Sequence, residues 1–197
     1  MNFYLLNWPD DLDRAAYAHA TDQIESCEVC GTCGRNWFRQ IKDLDVELYG
    51  VDINGFVWTL GAQLVVTNSL LNDLRAAGIS GFSPRPASIS YISEGRGGPS
   101  LLEQDSCFEP PLIWQLELLT DCRTPPNDFA EFQVCPVCSQ CNFVDWEPPR
   151  LTVDTRRWIG VDVFTHHHID VIITQRFLDV VTKARVHNYK ITPLEVR

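Results

Sequence analysis

Six cysteines of this chain are spaced as metal ligands are. They form two triplets in which two residues separate consecutive cysteines: Cys27, Cys30 and Cys33, and Cys135, Cys138 and Cys141. A C-x-x-C turn places two thiolates on one side of a tight loop, and two such turns facing each other make a tetrahedral zinc site. The spacing therefore predicts that four of these six cysteines bind one structural zinc ion.

Each triplet contains two overlapping C-x-x-C registers. In the first triplet the ligands are either Cys27 with Cys30 or Cys30 with Cys33. In the second triplet they are either Cys135 with Cys138 or Cys138 with Cys141. Cys30 and Cys138 belong to every combination, so both are predicted ligands whichever register is used.

Two other uses of these thiols stay open at this point. A redox pair requires a C-x-x-C that opens a helix after a strand, and neither triplet is followed by a helix start. A catalytic zinc ion requires an open coordination position and a general base, for which the candidates are histidines 166–168 with a neighbouring carboxylate. That set is His166, His167 and His168, with Asp162 or Asp170. No nucleophile elbow, phosphate-binding glycine loop or H-E-x-x-H motif accompanies them, so we expect no enzymatic activity.

The chain is acidic, and its charge is unevenly distributed. The net charge is −10; residues 1–60 hold ten acids and four bases, and residues 94–147 hold ten acids and two bases. Such a field repels phosphate backbones and attracts cationic partners, so we expect no direct binding of nucleic acid. The clusters that are candidates for contact with a basic partner are Asp10, Asp11 and Asp13, and Glu103, Asp105 and Glu109. A zinc-ribbon adaptor that binds another protein has the same cysteine spacing and is an alternative reading.

Sequence similarity between distant segments indicates an internal repeat. Residues 64–79 align without a gap on residues 171–186 at an offset of 107, and the cysteine triplets are offset by 108. We predict an α+β fold: one compact domain, residues 1–197, made of two pseudo-repeated halves, roughly 1–105 and 106–197. Each half contains a cysteine knuckle, a strand, a helix and a strand, and a zinc-ribbon-like four-cysteine site joins the two halves.

Local patterns predict the individual elements. Strands are expected at residues 3–6, 63–66, 87–92, 112–119, 169–173 and 188–195, and a helix at residues 11–23. Thr67 and Thr174 are predicted to cap two further helices, of which the first ends at Gly78 and the second runs through Lys183 and Arg185. Residues 83–86, Ser-Pro-Arg-Pro, are predicted to be irregular, and Cys107 and Cys122 to be buried.

Membrane and export signals are not recognised in the sequence. The longest apolar run is far shorter than the roughly 20 residues that a membrane-spanning helix needs. The first residues, Met-Asn-Phe-Tyr-Leu-Leu-Asn-Trp, lack the basic start of a secretory signal. We therefore expect a cytoplasmic protein.

Several segments together resemble a known family, the double-CXXCG motif proteins of gliding, predatory bacteria. The resemblance is carried by the first six residues, by Cys30-Gly-Thr-Cys33-Gly34 with Trp37, by residues 74–82, by Cys135-Pro-Val-Cys138 and by residues 171–177. Ser139 stands where that family has glycine. The family includes immunity proteins against toxins delivered between kin cells. The resemblance implies a protein that binds a cognate toxin and blocks it without a reaction of its own. The acidic charge of the chain adds the expectation that the toxin has a basic surface.

Overall fold

The computed structural model describes most of the chain. The described residues are 1–9, 17–20, 24–32, 36–40, 43–50, 53–59, 63–94, 98–118, 133–134, 141–142, 152–153, 155–156, 158–166 and 170–196. These residues form a mixed α and β structure that consists mostly of sheets, with few helices. The predicted α+β class is confirmed.

Sixteen strands and three helices lie in the described residues. The strands are β1 (Phe3–Asn7), β2 (Tyr17–Ala20), β3 (Ile24–Val29), β4 (Asn36–Gln40), β5 (Leu44–Tyr49), β6 (Phe56–Thr59), β7 (Leu64–Thr67), β8 (Phe82–Ser93), β9 (Ile113–Leu118), β10 (Gln133–Val134), β11 (Cys141–Asn142), β12 (Thr152–Val153), β13 (Val163–His166), β14 (Asp170–Thr174), β15 (Lys190–Pro193) and β16 (Glu195–Val196). The helices are α1 (Asn68–Ala76), α2 (Leu101–Gln104) and α3 (Gln175–Lys183).

Six strands close into a barrel in the order β2-β5-β8-β9-β7-β6. The pairs β5/β8 and β2/β6 are parallel and the other four are antiparallel. Alternate residues of β5 are buried because one face of the strand lines the barrel interior. The interior is filled by Leu44, Val46, Leu48, Val57, Val65, Ile92 and Ile113.

Four strands form a second, antiparallel sheet in the order β13-β14-β1-β15. One face of this sheet packs in a small core made of Phe3, Val153, Phe164 and Ile172. Val153 comes from β12, which pairs in parallel with β16. The other face packs in the large core that also contains side chains of the barrel strands and of both long helices.

Helices α1 and α3 begin in the same way. Each follows a strand without a loop, and the threonine that ends the strand, Thr67 or Thr174, accepts a hydrogen bond at 3.4 Å from the backbone N–H three residues later. Both predicted caps are confirmed. Each helix buries one stripe in the large core, comprising Leu70, Leu71 and Leu74 of α1 and Phe177, Leu178 and Val181 of α3.

The hairpin that precedes each long helix also has the same register. In the barrel, Phe56 of β6 pairs with Val66 of β7; in the second sheet, Val163 of β13 pairs with Ile173 of β14. Each residue of the second pair lies 107 positions after its counterpart in the first. The next strand is placed alike, because β9 pairs antiparallel with β7 and β1 pairs antiparallel with β14.

The structure corrects two predictions of secondary structure. Residues 17–20, predicted as part of a helix over 11–23, form β2, since pairing with β5 and β6 on both sides outweighs helix propensity. Residues 83–86, predicted to be irregular, belong to β8. Pro84 and Pro86 fit there because the pairing of β8 with β5 begins only at Ala87, so these prolines lie where the strand pairs on one side.

Two further predictions are wrong at single residues. Helix α3 ends at Lys183, and Arg185 has φ 57, the conformation that Gly78 takes with φ 64 after α1. Cys107 is exposed rather than buried, because it follows the short helix α2 on the surface, while Cys122 lies outside the described residues.

Candidate metal centre

The first cysteine triplet lies on the hairpin of β3 and β4. These strands pair antiparallel, with Val29 opposite Asn36 as the last pair before the turn. Six residues, 30–35, separate the members of this pair, and Cys30 is the first of them and Cys33 the fourth. Cys30 is buried, with 5% of its surface exposed, although the neighbouring Val29 is 64% exposed.

The second triplet lies on the hairpin of β10 and β11. Val134 pairs with Cys141, again with six residues, 135–140, between the members of the pair. Cys135 is the first of these six residues and Cys138 is the fourth. The two hairpins therefore enclose segments of equal length with cysteine at the same two positions.

The strand pairing of the two hairpins separates the candidate zinc ligands into cysteines within the strands and cysteines between them. Cys27 lies within β3, where the ladder has an irregularity between Glu25 and Glu28, and Cys141 is itself a paired residue of β11. Cys30 and Cys33, like Cys135 and Cys138, fall between the paired strands. Cys33, Cys135 and Cys138 lie outside the described residues, as do the side chains of Cys27 and Cys141.

The donor set of these turns fits zinc. Four thiolates at C-x-x-C spacing, on two hairpins, are the ligand set of a closed, tetrahedral structural site. Zinc held this way would cross-link two parts of the chain that are about a hundred residues apart. Among the residues whose side chains the structure describes, no group of three or more His, Cys, Asp or Glu forms another candidate metal site.

The predicted histidine site is described only in part. The backbone of His166 pairs with that of Asp170 across β13 and β14, whereas His167 and His168 lie outside the described residues. The side chain of His166 is not described either. A catalytic zinc at these histidines therefore stays an alternative that the described residues do not decide.

Asp162, the other acid predicted beside these histidines, is engaged with protein donors. Its Oδ2 accepts hydrogen bonds from the backbone N–H of Ser80 at 3.0 Å, from Ser80 Oγ at 3.1 Å and from Arg176 Nη1 at 2.9 Å. Its Oδ1 accepts from Thr174 Oγ1 at 3.0 Å. Four donors satisfy this buried carboxylate, so it serves as an anchor for the surrounding chain.

Arg176 extends this anchor to helix α1. Its Nη2 donates to the carbonyl oxygens of Ala77 and Gly78, the latter at 3.0 Å, and thereby caps the C-terminus of a helix that precedes it by about a hundred residues. The sequence singles out Asp162 through the similar Gly-Val-Asp segments at residues 50–52 and 160–162. No sequence pattern indicates the role of Arg176 at α1, because its partners there are backbone carbonyls nearly a hundred residues earlier.

The described acids are concentrated in residues 43–118, which include barrel strands β5 to β9 together with α1 and α2. Described residues between 43 and 118 include nine acids and two bases, whereas those between 152 and 196 include four acids and five bases. Of the predicted clusters, Glu103, Asp105 and Glu109 are exposed, and Asp10, Asp11 and Asp13 lie outside the described residues.

Arg85 neutralises part of this surface. Its guanidinium forms ion pairs with Glu117 at 2.6 Å and with Asp43 at 3.2 Å. The hydrogen bond to Glu117 raises the pKa of Arg85 above its ordinary value, and the bond to Asp43 acts in the same direction.

No helix among the described residues is long and apolar enough to cross a membrane.

No family model matches the sequence, and no curated protein matches it.

Proposed function

We propose that this protein is an immunity protein that binds and neutralises a cognate protein toxin and is held together by one structural zinc ion. The observation that carries the proposal is the pair of hairpins β3/β4 and β10/β11, each enclosing six residues with cysteine at the first and fourth positions. These are the two C-x-x-C segments on which the resemblance to the double-CXXCG family rests.

The zinc ligands in this proposal are Cys30, Cys33, Cys135 and Cys138. This register is supported by the equal length of the segments that the two hairpins enclose. When these segments are aligned, the first position of one is Cys30 and that of the other is Cys135, and the fourth positions are Cys33 and Cys138. When bound, the zinc ion supplies a cross-link between the two knuckles and no chemistry. Closing a loop of about a hundred residues in this way opposes unfolding, because metal affinity adds directly to folding free energy.

The proposal includes an internal duplication of the chain. It is supported by the shared strand order: β6-β7-β9-β8 in the barrel corresponds to β13-β14-β1-β15 in the second sheet. The hydrogen bonds that end α1 and α3 correspond as well. Ile79 N–H donates to Leu74 O and Val186 N–H donates to Val181 O, again 107 residues apart. In a duplicated protein the two knuckles are equivalent, which suits a zinc site formed by both.

The toxin in this proposal carries a basic surface. Support comes from the excess of acids among described residues 43–118, which would attract such a surface and raise the rate of encounter. A toxin that cleaves or modifies nucleic acid has a groove of this charge, and a protein that covers the groove blocks it. Cells must keep such an inhibitor where the toxin acts, which fits a cytoplasmic immunity protein.

The test is co-expression of this chain with the candidate toxin encoded beside it. We expect growth to be rescued and the two proteins to purify as one complex. The association rate should fall as ionic strength rises, since exposed charges are screened by salt. Rescue of growth without any complex would contradict the proposal, because it would require an indirect or enzymatic mechanism.

Charge-reversal variants test whether the acidic cluster attracts the toxin. The double variant Glu103→Lys with Glu109→Lys reverses two exposed acids, one on α2 and one after it, and Lys183→Glu reverses one exposed base on α3. If an acidic surface attracts the toxin, the two acid reversals slow association, whereas the Lys183 reversal does not. Equal rates for all three proteins would contradict electrostatic attraction by this cluster.

A further inference from the structure

The first strand of the chain lies inside the sheet formed by the last part of the chain. β1 pairs antiparallel with β14 on one side and with β15 on the other. Tyr4, for example, is opposite Ile173 on one side and Pro193 on the other. A strand in this central position has both rows of its backbone polar groups engaged.

The side chains of β1 are anchored on both faces of that sheet. Phe3 is 1% exposed and packs edge-on against Trp158 and Phe164, at centroid distances of 5.4 and 6.2 Å. Leu6 is 4% exposed and lies in the large core on the opposite face. Tyr4 Oη donates a hydrogen bond to the side chain of Gln175 at the start of α3.

The N-terminal end of β1 is held by the same part of the chain. Asn2 O accepts a hydrogen bond from Gln175 N–H at 3.1 Å, and Phe3 O accepts one from Leu194 N–H at 2.9 Å. The strand pairings and hydrogen bonds described for β1 thus join it to residues 171–194. The covalent connection runs instead to β2, a strand of the barrel.

The barrel holds β9 in a corresponding place. β9 lies between β7 and β8, Asn68 N–H donates to Leu112 O at 2.9 Å, and Trp114 Nε1 donates to Asn68 Oδ1 at 3.0 Å. These contacts match those of Asn2 and Tyr4 with Gln175. The difference is that β9 follows β8 in the chain, whereas β1 reaches its place from the other end of the sequence.

We infer that β1 is a donor strand, and that the groove between β14 and β15 binds residues 1–9 of this chain even as a separate extended peptide, through their apolar side chains on both faces. Backbone hydrogen bonds on two sides supply affinity, and the buried sites of Phe3 and Leu6 supply specificity, as in other cases of strand addition. The groove therefore retains its strand without the covalent connection between β1 and β2. This inference is independent of zinc and of the toxin.

A circular permutant tests the inference with every residue of the chain present. A linker joins Arg197 to Met1, and the chain is opened after Pro9, so that β1 becomes the last strand. The linker is short because Leu194 lies against Phe3. A protease site in the linker then allows β1 to be released from the chain after folding.

We expect the permutant to fold with a melting temperature close to that of the parent. After cleavage, the peptide of residues 1–9 should elute with the body of the protein, and the melting temperature should rise with added peptide, as mass action requires for a bound ligand. A labelled copy of the peptide should exchange into the groove, whereas a copy with Phe3→Asp and Leu6→Asp should not.

Three results would overturn the inference. The first is a permutant that does not fold, which would mean that β1 needs its connection to β2. The second is loss of the peptide on cleavage while the body keeps its melting temperature and circular dichroism. The third is equal exchange of the native and the doubly substituted peptides.

Discussion

Asp162 is a residue whose contacts tie separate segments of the described chain together. Its carboxylate binds Ser80 from the segment after α1, Thr174 from the end of β14 and Arg176 from α3. The backbone adds to this junction, since Asp162 N–H donates to Ser80 O at 3.0 Å. This buried carboxylate thus links the segment after α1 to the end of β14 and the start of α3.

We expect Asp162→Ala to destabilise the protein by about 2 kcal/mol, because it leaves the buried Thr174 hydroxyl and the N–H of Ser80 without their acceptor and breaks the partly exposed ion pair with Arg176. Urea unfolding measures the change. Asp179→Ala, which removes an exposed carboxylate on α3, is the matched control and should change stability by less than about 0.5 kcal/mol. Equal effects of the two substitutions would show that Asp162 is not an anchor.

At the residue scale the sequence predicts caps better than anchors. Thr67 and Thr174 are recognisable because a cap acts on the backbone three residues away, which a short sequence window contains. Arg176 acts on Ala77 and Gly78, nearly a hundred residues earlier. Contacts of this kind depend on the packing of α1 against α3, and no local pattern records them.

The ends of the two long helices differ in one respect at the element scale. Each cap residue is followed by a residue in the left-handed conformation: Gly78 has φ 64 and Arg185 has φ 57. Glycine takes this conformation without steric cost, whereas a side chain at Cβ costs roughly 1–2 kcal/mol. Helix α3 therefore ends with a strained residue where α1 ends with an unstrained one.

Arg185→Gly should stabilise the protein by about 1 kcal/mol, since it relieves this strain at an exposed position. Lys183→Gly, two residues earlier and still in helical conformation, should destabilise it by a similar amount. Thermal unfolding of both variants measures the two changes. A destabilised Arg185→Gly protein would show that the arginine side chain contributes more than its backbone conformation costs.

At the element scale, prediction succeeded where the pattern and the tertiary role agree. The strands at residues 3–6, 63–66 and 169–173 are confirmed, with shifts of a residue or two, because runs of apolar and β-branched side chains are buried in sheets. The helix over residues 11–23 is wrong at 17–20. That segment closes the barrel by pairing with β5 and β6, and such long-range pairing is not encoded in local periodicity.

At the scale of the whole molecule, the barrel was the feature that sequence did not indicate. Its closure needs two parallel pairs, and it needs β8 to pair with β9 through residues 82–87 and with β5 through residues 87–93. The similarity of residues 64–79 to 171–186 predicts two related strand and helix units, and their common origin is part of the proposal. The structure gives these units matching caps and hairpin registers, and it places each in a sheet of corresponding strand order.

The central proposal at this scale is that two knuckles share one zinc ion. The direct measurement is the ratio of zinc to protein in the purified chain and in single Cys→Ser variants. We predict about one zinc ion per chain in the parent and in the Cys27→Ser and Cys141→Ser variants, which serve as matched controls. The ratio and the cooperative unfolding transition should both be lost in Cys30→Ser, Cys33→Ser, Cys135→Ser and Cys138→Ser. A parent protein that folds without zinc, or four ligand variants that keep it, would contradict the account.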